Sequence, residues 1–202
     1  NMNKGKKEET RINLTKDCAL IIVDVQNDFI PGGALPVPQG DKVVPILNKY
    51  IEKFERKKLM IVATRDWHPE NHISFRECGG IWPKHCVKET KGAEFHKDLR
   101  LPKNTIIISK ATEPEKEAYS GFQGTNLAEV LRKENIKRLF IGGLATDYCV
   151  KNTILDAIEN KFKVYFLQDA SKGVNVNPKD SEDAEKEMIK KGAVKITLDK
   201  IQ

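Results

Sequence analysis

The sequence predicts an α/β protein: a parallel sheet covered by helices on both faces. Three observations point there. Short apolar runs alternate with amphipathic stretches along the chain. The first run is apolar without polar alternation, as a strand buried on both faces must be. No internal repeat or low-complexity linker breaks the alternation, which argues for one domain.

The elements follow in order. Ala19–Val25 is apolar as far as Asp24 and reads as the first strand. Asp41–Lys57 places Val43, Leu47, Tyr50 and Phe54 on one helical face. Leu59–Thr64 and Thr105–Ser109 read as strands two and three. Asn126–Glu134 is a short helix, and Arg138–Ile141 a fourth strand running into Gly142-Gly143. Asp147–Asn160 turns Val150, Ile154, Leu155 and Ile158 inward as a helix, and Lys163–Leu167 is the fifth strand. Pro178–Lys191 is a helix with Pro at its first position, and Val194–Leu198 a sixth strand. The domain is expected over residues 12–202, behind a polar N-terminal segment, 1–11, in which Asn1 ahead of Met2 is set aside.

Composition excludes several function classes. With 39% hydrophobic and 32% charged residues the chain is too polar for a membrane protein and too apolar for a disordered one. No apolar run reaches the roughly 18 residues of a spanning helix, and no signal-peptide core follows the polar start, so a cytoplasmic location is expected. The net charge of +6 is dispersed over pairs such as Lys57-Lys58, Arg132-Lys133, Lys137-Arg138 and Lys190-Lys191. Most of these suit helix C-termini, and no basic face interleaved with aromatics marks a nucleic-acid site. Four cysteines without an export signal are expected to be reduced.

Two connections are long, about 40 residues over Arg65–Asn104 and a shorter one over Lys110–Thr125, and such loops are usually functional or disordered. The first holds all four histidines, His68, His72, His85 and His96, and both tryptophans. Ligands of a doubly wound sheet bind beyond the carboxyl ends of the strands. The polar residues expected there are Asp24, Asp66, His68, Lys110, Thr146, Asp147 and Cys149.

Cys149 should lie in the first turn of a helix, where orphan N–H groups and the helix dipole lower a thiol pKa and can hold an oxyanion. Lys110 would further favour thiolate, and Asp24 could accept and return a proton. Such a set suits acyl transfer from an amide. A buried inert cysteine is the plain alternative. Asp66, His68 and His85 offer a carboxylate and two imidazoles, a set that fits a divalent ion with open positions. The spacing is not that of a zinc finger. Pro69 stands where a zincin helix would carry its glutamate. Zinc, iron and manganese all suit these donors, zinc first.

Together these stretches resemble the nicotinamidase (pyrazinamidase) branch of the isochorismatase-like cysteine hydrolases. The resemblance is carried by Val23-Asp24-Val25-Gln26-Asn27-Asp28-Phe29, by Asp66-Trp67-His68-Pro69-Glu70-Asn71-His72-Ile73-Ser74-Phe75, and by Gly80-Ile81-Trp82-Pro83-Lys84-His85-Cys86. Lys110 and Gly142-Gly143-Leu144-Ala145-Thr146-Asp147-Tyr148-Cys149-Val150 complete it. It spans nearly the whole chain from about Leu14.

The resemblance implies a three-layer α/β/α sandwich with a six-stranded parallel sheet ordered 3-2-1-4-5-6. It implies Asp24, Lys110 and Cys149 as catalytic triad, with Cys149 the nucleophile. A cis peptide at Leu144–Ala145 and an oxyanion hole from the N–H groups of Ala145 and Cys149 are expected with it. Asp66, His68 and His85 would hold the metal, which positions a pyridine nitrogen. Phe29 and Trp82 would enclose the ring. Some relatives use a histidine in the region of His72 as an extra ligand, and others leave that place to water. The implied reaction is metal-dependent hydrolysis of nicotinamide, and of pyrazinamide, to the acid and ammonia through a cysteine thioester in NAD salvage. A related amidohydrolase acting on another small amide or carbamoyl compound is the alternative. Isochorismatases themselves lack the nucleophilic cysteine. No nucleic-acid or membrane partner is expected, and relatives range from monomers to larger homo-oligomers.

Overall fold

A computed structural model describes residues 10–202. Its six strands are β1 (Cys18–Val23), β2 (Met60–Asp66), β3 (Ile106–Lys110), β4 (Arg138–Leu144), β5 (Lys163–Lys172) and β6 (Val194–Ile196). They form one parallel sheet in the order β3-β2-β1-β4-β5-β6, as expected from the sequence. The helices are α1 (Val43–Arg56), α2 (Leu127–Lys133), α3 (Lys151–Glu159) and α4 (Asp180–Lys191).

Every side chain of β1 is buried, which explains the apolar run. Successive residues point to opposite faces of a strand. Cys18, Leu20 and Ile22 join Leu47, Tyr50 and Phe54 of α1 in one core. Ala19, Ile21 and Val23 join Leu127, Leu131, Ile154 and Met188 of α2, α3 and α4 in the other. The sheet is thus the middle of three layers. Among the described residues, no helix is long and apolar enough to cross a membrane, and the four cysteines are free. Residues 1–9 of the polar N-terminal segment lie outside the described residues.

Several boundaries differ from expectation for local reasons. β1 stops at Val23 because Asp24 takes a left-handed conformation, φ 50°. β5 continues to Lys172, five residues past Leu167, by way of a register shift against β4 between Ile141 and Gly143. Gly143 has φ 124°, and a Cβ there would sit 2.2 Å from the Val23 carbonyl oxygen, so only glycine allows β4 this approach to β1. α4 begins at Asp180 rather than Pro178, and Asp180 Oδ2 accepts the Asn177 N–H ahead of it. Cys149 lies in a single π-type turn, Thr146–Val150, that runs into α3.

Candidate active site

Four neighbouring strands deliver the site at their carboxyl ends. Asp24 follows β1, Asp66 and Lys110 end β2 and β3 as register partners, and Cys149 follows β4. Lys110 is only 1% exposed, and its Nζ is the hub. It lies 2.9 Å from Asp24 Oδ2, donates to Cys149 Sγ at 3.2 Å and to the Ala118 carbonyl at 3.2 Å, and is paired with Asp66 Oδ1. Asp24 Oδ1 accepts the Thr64 hydroxyl at 2.8 Å. One carboxylate oxygen each of Asp24 and Asp66 and the Cys149 sulfur lie within 4.8 Å of one another. The peptide Leu144–Ala145, directly before the π-type turn, is cis.

Electrostatics assigns the resting protonation states. Burial alone would discharge Lys110, but Asp24 and Asp66 outweigh it and hold the ammonium well above its usual range. Burial would likewise raise Asp66, but Lys110 and His68 hold it well below the carboxylate range. For Cys149 the balance runs the other way. Burial pushes the thiol well up, and the lowering by Lys110 is offset by the two carboxylates. That direction is opposite to the lowering expected from the helix end, while Lys110 acts in the expected sense. Burial also raises Asp24, against Lys110, which makes it a stronger base towards that thiol proton.

Beside this cluster, Asp66 turns its second oxygen to two imidazoles. His68 Nε2 is 3.4 Å and His85 Nε2 3.9 Å from Asp66 Oδ2. Each ring spends Nδ1 on a backbone carbonyl, His68 on Ala111 (2.9 Å) and His85 on Pro83 (2.7 Å). Donation from Nδ1 leaves the Nε2 lone pairs aimed at one point. His68 Nε2 is buried without a hydrogen-bond partner. The three donor atoms lie within 4.8 Å of each other. An orphaned buried nitrogen facing a second imidazole and a carboxylate oxygen fits a divalent cation.

His72 stays outside this set. Its ring stacks behind His68 at 4.1 Å, and both its nitrogens are taken, Nδ1 by Ser74 Oγ (2.6 Å) and Nε2 by the Lys116 carbonyl (2.8 Å). The fourth histidine, His96, lies apart in an open surface groove beside α1 that carries no catalytic cluster.

A narrow cleft, with about 40 Å³ of free volume, opens over Cys149. Phe29 and Trp82 line it, as expected, together with Leu144, Ala145 and Val174. Two walls escaped sequence reasoning. Tyr148 meets Trp82 edge to face at 5.3 Å, and Tyr119 accepts the Trp82 indole N–H at 3.0 Å. Tyr148 adjoins Cys149 in the same turn, and Tyr119 lies in the long 110–125 connection; those positions were the available signals. Asp147 is not in the reacting cluster. Its carboxylate accepts the N–H groups of Val174 and Asn175 (2.9 and 2.8 Å) and so holds one wall of the cleft.

The profile of the isochorismatase domain family matches residues 18–200. The chain is 39% identical over 201 residues to the nicotinamidase of Escherichia coli (strain K12), covering 89% of this chain and 94% of that one. It is similar in structure to the pyrazinamidase of Pyrococcus horikoshii in complex with zinc, with a TM-score of 0.87 and 58% identity over 90% of this chain and 99% of that one. PnC1 from L. infantum in complex with nicotinate superposes with a TM-score of 0.88 at 32% identity, over 95% and 98% of the two chains.

Proposed function

The chain belongs to the isochorismatase family, and from that membership we propose that it is a metal-dependent nicotinamidase that also accepts pyrazinamide. The observation that carries this reading is the position of Lys110, bonded at once to Asp24, Cys149 and the Asp66 that completes the ion-binding donor set. A triad for amide hydrolysis and a metal site thereby share one floor beneath an aromatic cleft.

The chain's own groups account for the chemistry. Cys149 Sγ attacks the carboxamide carbon while its proton passes to Asp24, and Lys110 stabilises the sulfur as it becomes anionic. The N–H groups of Ala145 and Cys149 form the oxyanion hole for the carbonyl oxygen. Asp24 then gives the proton to the departing amine, releasing ammonia and leaving a thioester. A water loses a proton to Asp24 as it attacks the thioester. The acid leaves, and Asp24 returns the proton to the sulfur. Asp66, His68 and His85 would hold one divalent ion, zinc first, and that ion would supply an open coordination position for a pyridine nitrogen. Phe29 and Trp82 enclose the ring, and the nicotinate formed enters NAD salvage.

Ammonia release is the test. The metal-loaded protein should release ammonia from nicotinamide and pyrazinamide, and Cys149→Ala should lose this by about 10⁴-fold or more. Chelation should stop turnover and added zinc restore it. Release that survives Cys149→Ala rejects the thioester route. Hydrolysis of carbamoyl compounds in preference to nicotinamide rejects the substrate.

A further inference from the structure

The loop that leaves Asp24 carries two buried contacts which the reaction above does not use. Gln26 is wholly buried. Its Nε2 donates to the Asp66 carbonyl at 2.8 Å and to the Ala93 carbonyl at 3.0 Å, while its Oε1 accepts the Asp66 N–H at 2.9 Å. On the β3 side, Asp66 is paired with Lys110. On the β1 side the strand pairing ends at Val23–Thr64, and Asp24 turns away in its left-handed conformation. The Gln26 amide therefore does for Asp66 what a neighbouring strand would otherwise do, tying down both backbone polar groups.

Two residues on, Asp28 Oδ2 accepts the Cys86 N–H at 2.8 Å, and its Oδ1 accepts the Ala34 N–H at 3.2 Å. Cys86 follows His85, is fully buried, and holds φ at 47°, a conformation uncommon for a residue with a side chain. Its carbonyl accepts the His68 N–H at 2.9 Å. The residue directly after His85 is thus held by Asp28 through its N–H and by His68 through its carbonyl. Asp28 is itself seated against Gly92, where a Cβ would fall 2.2 Å from Oδ2.

We propose that this loop is the template for the donor geometry, with Gln26 the positioning residue for Asp66 and Asp28 the positioning residue for His85. The inference rests on reading Asp66, His68 and His85 as metal donors. It ties the segment bearing the catalytic aspartate to the shape of the ion site through backbone groups rather than through side chains that touch the ion.

The test measures zinc affinity of the full chain by competition with a chromophoric chelator, and site geometry by the visible absorption of the cobalt-loaded protein. Gln26→Met and Asp28→Ala should each weaken zinc binding by about 10- to 100-fold and shift the cobalt bands. Gly92→Ala, which displaces Asp28 without removing it, should do the same. Asn27→Ala is the control in the same loop: its Nδ2 bonds only the Lys91 carbonyl, and affinity should stay within about twofold of the parent. Should Asp28→Ala fail to fold, Gly92→Ala and Gln26→Met decide. Folded variants that bind zinc like the parent, with the parent cobalt spectrum, overturn the proposal. A parent chain that binds no zinc, or a His85→Ala variant that binds as well as the parent, overturns the donor reading itself, a result distinguishable from the first.

Discussion

Lys110 is a single cation buried among two carboxylates and a thiol, and Lys110→Met removes that charge while keeping most of the apolar stem. Removing one partner of a buried ion pair leaves an uncompensated charge and costs about 3–5 kcal/mol. For a chain of this size that corresponds to a melting temperature lower by roughly 6–20 °C. The loss should depend on pH in a defined sense. Asp24 is already raised by burial, with Lys110 the main influence holding it down, so loss of the lysine raises it further. A carboxyl whose folded-state pKa exceeds its unfolded value binds more protons when folded, so the stability of the variant falls as pH rises through the folded value. The deficit should therefore be largest at pH 8 and smaller at pH 5.5. Urea unfolding of the metal-free parent and variant at both pH values measures it, with an unchanged slope confirming that the same surface is exposed. A variant as stable as the parent at pH 8, or a deficit that grows on acidification, would refute the charge balance assigned to this cluster.

Three further outcomes follow from the same structure. Because Asp24 must be ionised to take the Cys149 proton and burial raises it, kcat/KM should fall on the acid side above the ordinary aspartate value of about 3.9; a profile level down to about pH 4 contradicts that role. Tyr50→Phe removes the 2.7 Å bond from a buried hydroxyl to Asp169, whose other oxygen holds the Leu198 N–H, and should cost about 1.5–3 kcal/mol in denaturant unfolding without changing kcat. Trp82→Phe loses the bond to Tyr119 and should raise KM for nicotinamide by about 3- to 10-fold with kcat within about twofold, a split readable in steady-state kinetics.

The sheet was legible because β1 is buried on both faces, a state that only an apolar run satisfies. The convergence of Asp24, Lys110 and Cys149 was legible because a parallel sheet brings its strand ends to one edge, so the three could be collected from distant segments. Sums over three dimensions were not legible. The protonation of Cys149 depends on how two carboxylates and burial weigh against one lysine, and residue order carries no such balance. His72 has a ligand's spacing from His68, yet Ser74 and the Lys116 carbonyl occupy both its nitrogens, and that carbonyl belongs to a different loop. The extension of β5 past Leu167 depends on a register shift opposite Gly142-Gly143, which shows only once the strands are paired.

The strand order explains why the two centres share a residue. Across the sheet the ends run β3, β2, β1, β4, and they present Lys110, Asp66, Asp24 and Cys149 in that order. Neighbouring strands lie about 4.8 Å apart, so a group on β3 that is to reach both the β1 aspartate and the thiol after β4 must extend across β2. A lysine's four-carbon stem can do so, and its path lies over its register partner, Asp66. Asp66 is therefore bound to pair with the lysine through one oxygen, and only its other oxygen remains for His68 and His85. The carboxylate that would complete the proposed ion site is also the second counter-ion keeping Lys110 charged beside Cys149. Asp66→Asn should consequently impair both centres at once, whereas His85→Ala, which touches neither Lys110 nor Cys149, should impair ion binding while leaving the lysine's pairing with Asp24 in place.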